Sequence, residues 1–549
     1  KQNRAVSGPP WQTTLFEDTI MLYQAMIKRR LTGLTFGFGL LSAALFQTLP
    51  GHSTTESYLI QGESLASVKA VVQAAGGEIT HELGIIRAVS AELTDIQYRA
   101  LQTHDSSLRV YADRPVQTST VDYYDYDIDN GLAPDTHYPD QLGASDLHAQ
   151  GIDGSGVTVA VLDTGIWRYK PELENNLDGQ NRIVGTFDAT LPEGWYTEIT
   201  YSVNGHGTHV SSVIASTKRS SYTDKVHGIA PNVDLVAVRA FDEEGQGSYA
   251  DVIKGLDWIV THKNDYDIRV LNLSFSAPPQ SHYWDDPLNQ AVMAAWEAGI
   301  VVVASAGNTG PDTLSIGAPG NVPYVITVGA MTDNHTFDDP SDDSMTTFSS
   351  AGPTHEGFVK PDLIAPGGHI LGLTPHWYNL ASDHNEARLM DQHDLFVMSG
   401  TSQSAAMVSG VAALILQADP NLSPDDVKCR LMASAKGARN EDGSPRYSIL
   451  QQGSGLVDAY AAVHSTVVGC ANRGLDIAKD LAGDEHYAGM VRRDSDGNYY
   501  LQVLKGQSML WADSMLWADS MLWSDSMLWA DSMLWADSML WADSMLWAD

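Results

Sequence analysis

Between residues 157 and 418, short apolar β-branched runs alternate with stretches of helical periodicity, and this alternation narrows the fold further than any other property of the chain. The runs at 157–163, 233–241, 268–275, 300–305 and 324–331 have strand length and are apolar on both faces. The stretches 206–217, 248–263, 288–298 and 402–418 read as helices. Strands apolar on both faces are covered on both faces, and helices linking successive strands require parallel neighbours. The fold class is therefore α/β, with a mostly parallel central sheet between helical layers. At 549 residues the chain also has room for further units.

Sheets of this kind gather functional groups where their strands end. The run Val157-Thr-Val-Ala-Val-Leu-Asp-Thr-Gly165 ends on Asp163. Asn204-Gly-His-Gly-Thr-His-Val210 puts His206 at the opening of the next helix. Met398-Ser-Gly-Thr-Ser402 puts Ser402 on the first turn of a helix rich in Ala405, Ala406, Gly410, Ala412 and Ala413. There the positive end of the helix dipole favours a negative charge developing on the oxygen. Taken singly, the three are a turn carboxylate, a core histidine and a capping serine. Taken together, they supply a nucleophile, the base that removes its proton and the carboxylate that fixes the base's tautomer.

The order Asp, His, Ser, in the words Asp-Thr-Gly, His-Gly-Thr-His and Gly-Thr-Ser, resembles the subtilisin family of serine endopeptidases (subtilases, peptidase S8), over residues 131–470. The resemblance implies that family's three-layer fold and acyl-enzyme chemistry on protein or peptide substrates, with no cofactor needed for the reaction. Ser402 then attacks, His206 serves as base and acid, and Asp163 orients it. Asn308, in Ile300-Val-Val-Val-Ala-Ser-Ala-Gly-Asn-Thr-Gly310, donates to the oxyanion with the Ser402 amide, beside Ala306 and Gly307 at the substrate. Glu244-Gly-Gln-Gly-Ser248 supplies Gly245 and Gly247 to one edge of an extended substrate, and Leu271-Asn-Leu-Ser-Phe-Ser-Ala277 supplies Ser274, Phe275 and Ser276 to the other. Where the family has two glycines after the bulky residue, this chain has Ser276 and Ala277, which leaves the primary specificity open. Gln403 replaces an oxidisable methionine next to the serine. Glu172 keeps a carboxylate where relatives bind calcium, but the loop 216–226 lacks the asparagine-rich pattern that completes such a site. The metal sites are therefore unknown, and structural calcium stays open.

The flanks supply context. With Lys plus Arg at 32 against Asp plus Glu at 68, the net charge of -36 argues against nucleic acid as a partner and suits an exported protein. Met26-Ile-Lys-Arg-Arg30 and the apolar, glycine-broken run after it read as a secretory signal at 26–52, too short to span a membrane stably, with 1–25 as an upstream extension. Within a segment 53–130, residues 57–116 read as a small α+β unit of order βαββαβ. This ferredoxin-like unit is similar to the propeptides that chaperone and inhibit subtilases, and its tail is expected in the active cleft, with self-cleavage in the linker 117–135. The histidines of the polar loop 374–396 (His376, His384 and His393) read as solvated groups or as a metal site. Cys429 and Cys470, the only cysteines, read as one disulfide. A β appendage follows at 471–507, with a turn at Asp494-Ser-Asp-Gly-Asn498, and then seven Ser-Met-Leu-Trp-Ala-Asp repeats at 508–549, one of them with Ser524 for Ala. A period of six keeps alternate side chains on fixed faces of a strand, so extended structure and a disordered tail are both open. Either way the tail is a candidate for cell-surface retention of an otherwise secreted monomer. The rival classes are weaker. An α/β-hydrolase would run Ser, acid, His with a Gly-x-Ser-x-Gly elbow, which this chain lacks. A non-enzymatic surface protein would carry its function in the tryptophan repeats.

Overall fold

The computed structural model describes residues 54–104, 107–119, 137–192, 203–220, 223–336, 339–384, 387–388, 394–495, 497–503 and 507–510. The expected signal, its upstream extension, most of the 117–135 linker and the repeats beyond Leu510 lie outside them. No helix among the described residues is long and apolar enough to cross a membrane.

The N-terminal unit is a four-stranded antiparallel sheet of β1 (Thr55–Gln61), β2 (Glu78–Leu83), β3 (Ala88–Thr94) and β4 (Arg109–Ala112), in the order β2-β3-β1-β4. Its helices are Leu65–Ala74, opened by the Ser64 side chain, and Asp95–His104, where Thr94 and Gln97 exchange capping bonds. Strand alternation splits its apolar residues between two cores. Ile60, Val89 and Ala91 face its own helices, whereas Leu59, Leu83 and Ala88 join the main core of the molecule. The strand β5 (Pro115–Thr118) then leaves this unit and runs along the larger body.

In chain order the larger body contributes β6 (Thr158–Asp163), β7 (Ile183–Asp188), β8 (Asp234–Arg239), the short β9 (Gln246–Ser248), β10 (Ile268–Leu273), the two-residue β11 (Phe275–Ser276), β12 (Val301–Ser305), β13 (Ile326–Thr332), β14 (Ser344–Met345) and β15 (Leu363–Pro366). The central sheet runs β14-β13-β12-β10-β6-β8-β7, with β15 also on β13. All its pairings are parallel except β13 with β14. Every residue of β6, β12 and β13 is buried, as covered parallel strands require. On one face lie the helices His206–Ala215 and Thr401–Ala418, the latter buried from Thr401 to Leu416, with Ile229 packed where a side chain on Gly410 would stand. On the other lie Tyr249–Thr261 and Pro287–Glu297, whose outer surfaces carry the N-terminal unit. The Asp257 carboxylate accepts from the Gly84 and Ile85 amides at 2.8 and 3.1 Å, and Gln61 Nε2 donates to Gln290 Oε1 at 2.7 Å.

Several elements depart from the sequence expectations. The strand β7 was not anticipated, because Ile183-Val-Gly-Thr-Phe-Asp188 lies at the sheet edge with only Gly185 and Asp188 buried and carries no continuous apolar signal. The C-terminal appendage begins with an unanticipated helix, Ile477–Ala482, before three antiparallel strands at Val491–Arg493, Tyr499–Val503 and Gln507–Leu510. Between the first two of these strands the Asn498 amide donates to Asp494 Oδ1 at 2.8 Å. The last strand takes in Ser508–Leu510, so the first repeat begins extended. Cys429 and Cys470 are bonded.

Candidate active site

Asp163 is the last residue of β6, His206 the first of its helix, and Ser402 the second of Thr401–Ala418. All three are buried. His206 Nδ1 lies 2.7 and 2.9 Å from the two Asp163 oxygens. Gly207 leaves room beside the carboxylate: a side chain there would meet the Gly165 carbonyl at 2.3 Å and Asp163 Oδ1 at 3.0 Å. The Asn204 side chain caps the His206 amide at 3.0 Å, and Thr164 Oγ1 takes the Gly207 amide at 3.0 Å.

The expected bond from the Ser402 hydroxyl to His206 is not made. Ser402 Oγ instead lies 2.8 Å from the Ser119 carbonyl oxygen and 3.0 Å from that of Ser274, while His206 Nε2 has no partner. The physical reason is occupancy, since the chain itself fills the cleft. β5 lies antiparallel between β9 and β11, pairing Val116 with Gly247 and Gln117 with both Gln246 and Ser276. Its ladder ends at the serine, where the Thr118 amide donates to Gly245 O at 3.0 Å and the Ser119 amide to Ser274 O at 3.3 Å. Residues 117–119, expected in a linker, are thus strand and strand end.

Asn308 stands on the other side of Ser402. Its Oδ1 accepts from the Thr401 amide at 3.0 Å and from Thr401 Oγ1 at 2.9 Å, which holds Nδ2 away from the helix and without a partner. A side chain on Gly400 would meet Ser119 O at 2.6 Å, Gln403 Oε1 at 2.9 Å and Asn308 Nδ2 at 3.3 Å. The Ser119 carbonyl oxygen, Asn308 Nδ2 and Gln403 Oε1 therefore all approach a glycine that leaves space for them, and of the three only Asn308 Nδ2 is a donor. An unpaired donor is costly, so Asn308 Nδ2 held without a partner beside this carbonyl marks a place suited to charge that appears during a reaction.

Of the remaining expected contacts, Gly245, Gly247, Ser274, Phe275 and Ser276 border β5 through their backbones, while the Phe275 ring is buried against Phe241 at 5.1 Å. Gly307 donates to Thr401 Oγ1 at 3.2 Å, and Ala306 is hydrogen bonded into the sheet rather than to β5. Sequence reasoning missed Thr401, which locks Asn308, and Ser119, which meets Ser402. Thr401 stands in the Gly-Thr-Ser word without its role being legible there, Ser119 stands in no motif, and only the folded cleft shows what each one meets.

The residues around Glu172 do not fit a cation. Its carboxylate lies 3.6 Å from Lys170 Nζ and its backbone oxygen accepts from the Thr217 amide at 2.8 Å. Among the described residues no group of three or more His, Cys, Asp or Glu is arranged to hold a metal, and His393 lies outside them. Deeper in, His209 sits between the Ile370 and Phe396 carbonyls at 3.2 and 3.1 Å, and burial, with His206 nearby, pushes its imidazole down to about 3.

The model of the Subtilase family matches residues 154–455. Serine protease AprX of Bacillus subtilis (strain 168) is 38% identical over 364 residues, which is 65% of this chain and 76% of that one. Subtilisin E of the same organism is 29% identical over 441 residues, 79% of this chain and 97% of that one. Among solved structures, fervidolysin from Fervidobacterium pennivorans, a keratinolytic enzyme related to subtilisin, matches with a TM-score of 0.58 at 22% identity. The match covers 78% of this chain and 63% of that one and speaks for the fold alone.

Proposed function

The chain belongs to the subtilase family of serine proteases, and from that premise we propose that it is an exported endopeptidase, made as a zymogen, that cuts its own chain between Ser119 and Thr120 before acting on other proteins. Ser402 Oγ attacks the carbonyl carbon on the N-terminal side of the bond and its proton passes to His206 Nε2. The C–N bond then breaks as that proton goes to the departing amine. Water attacks the acyl-enzyme, gives a proton to His206 and releases the new carboxylate as Ser402 recovers its hydrogen. Asp163 holds the Nδ1–H of the imidazole and stabilises its charged form. Asn308 Nδ2, and the Ser402 amide beside it, take the oxyanion.

One observation carries the reading: the Ser119 carbonyl oxygen lies 2.8 Å from Ser402 Oγ at the end of a strand paired on both sides. Backbone pairing of this kind binds any extended peptide, which favours a protein substrate over a small ester. The N-terminal unit, docked through Asp257 and Gln290, acts as chaperone and inhibitor until it is removed. Residues 26–52 direct export, and the repeats after 508 retain part of the product at the cell surface. The reading invokes neither metal nor cofactor.

The test is the intact mass of the purified protein beside its Ser402→Ala variant. The expected result is a wild-type product starting at Thr120, with the variant uncut there. Equal lengths for the two proteins, with no cleavage of casein by wild type, would overturn the proposal.

A further inference from the structure

The floor of the pocket beneath Ser119 is closed by this chain's own side chains. Ser119 is 6% exposed, and its Oγ reaches to 3.5 Å from Ser305 Oγ at the end of β12. Ser305 is itself fixed, its hydroxyl donating to the Phe275 carbonyl at 3.0 Å. Two glycines, Gly307 and Gly317, would otherwise leave the space beyond it open. Ser276 enters that space: its Oγ stands 3.2 Å from the position of a side chain on Gly307, where Ser350 Oγ also stands at 3.0 Å, and its Cβ and Oγ stand 2.8 and 3.1 Å from that of one on Gly317. The wall cannot swing away, because Ala277 and Ala318 exchange backbone bonds of 2.9 and 2.8 Å immediately beyond.

We infer that Ser276 and Ser305 make the primary pocket shallow and polar, so that the enzyme cleaves after small residues (Gly, Ala and Ser) and discriminates against aromatic, long aliphatic and cationic ones. The inference rests on the protease reading and names the substrate class of that same site. Serine at 119 fits, because its hydroxyl meets that of Ser305 without displacing the wall. A bulky side chain has to push into a packed, hydrogen-bonded wall, and packed interiors tolerate added volume poorly. Pocket shape of this kind discriminates by about 10–200-fold. Ser276 acts through the volume it occupies and takes no part in bond making.

The test uses the processed enzyme and peptides that keep Pro-Val-Gln-Thr before the bond, with Ser, Ala, Leu, Phe or Lys in the next position. Wild type is expected to favour Ser and Ala over Phe and Lys by at least about tenfold in kcat/KM. Ser276→Gly should raise the Phe-to-Ser ratio by about tenfold. In the full chain, Ser119→Phe should slow self-cleavage, with Ser276→Gly restoring it. A map of casein cleavage sites gives a readout independent of any variant. Casein cut mainly after Phe, Leu or Lys overturns the inference and leaves the protease reading standing. A Phe-to-Ser ratio unmoved by Ser276→Gly removes Ser276 from the argument and overturns its role. No cleavage of any substrate by wild type overturns the protease reading itself, and this inference with it.

Discussion

At the scale of single residues, the site combines groups whose partners are fixed with groups whose partners are withheld. His206 has Asp163 at 2.7 Å and nothing on Nε2; Asn308 has Thr401 on Oδ1 and nothing on Nδ2. Each side chain is oriented by one end so that the other is available. The sequence singled out Asp163, His206 and Ser402 because each ends or opens a regular element. It could not place Ser119, whose role comes from where a strand happens to stop. His209 yields a prediction of a different kind. Its folded value of about 3 lies below the ordinary 6.5, so it is neutral in the fold and the unfolded chain binds the extra proton. The stability is therefore present above pH 6.5 and lost as pH falls toward 3, at up to about 1.4 kcal/mol for each pH unit crossed. Urea midpoints of the Ser402→Ala protein across that window should fall with pH, and His209→Gln should flatten the slope. An unchanged slope in His209→Gln would assign the acid sensitivity to other groups.

At the scale of elements, β5 is the part that joins the N-terminal unit to Ser402. It is four residues long and is held by β9 and β11 on its two sides, with Val116 buried in the main core. Thr118→Pro removes the amide that donates to Gly245 O at 3.0 Å. With a backbone bond contributing about 1 kcal/mol net, self-cleavage should slow about fivefold or more, followed as the intact mass of the uncut chain over time. Cleavage at the wild-type rate would mean that the pairing does not position the bond. The strands of the central sheet were legible because β-branched runs buried on both faces leave an unbroken apolar signal. β7 was not, because an edge strand half open to solvent carries mixed residues, and neither was β15, whose four residues end in Pro366. Nothing in Pro115-Val-Gln-Thr118 separates it from a linker, since its partners lie more than a hundred residues away.

At the scale of the whole molecule, three bodies of sequence share one structure: the N-terminal sheet, the α/β body and the C-terminal appendage. The appendage is hydrogen bonded to the body, and a disulfide closes the chain just before it. Asp480 takes the hydroxyls of Tyr283 at 2.6 Å and Tyr324 at 3.1 Å, and the Cys429–Cys470 disulfide closes a sequence separation of 41 residues. Closing a loop of that length stabilises by about 4 kcal/mol in the chain-entropy account. A Cys429→Ala, Cys470→Ala protein, made on Ser402→Ala to prevent self-digestion, should melt several degrees lower by calorimetry, and reductant should lower the parent in the same way. Equal melting temperatures would place the stability of this region in its packing. By itself the sequence determined the parallel α/β body and singled out Asp163, His206 and Ser402 as candidates, because strand periodicity, helix openings and nucleophile chemistry are properties of a few neighbouring residues. Only the tertiary structure decided that Ser119 meets Ser402, that Thr401 turns Asn308 and that Ser276 enters the space between Gly307 and Gly317. Each of those depends on segments far apart in the chain arriving at one place, and sequence spacing does not encode that distance.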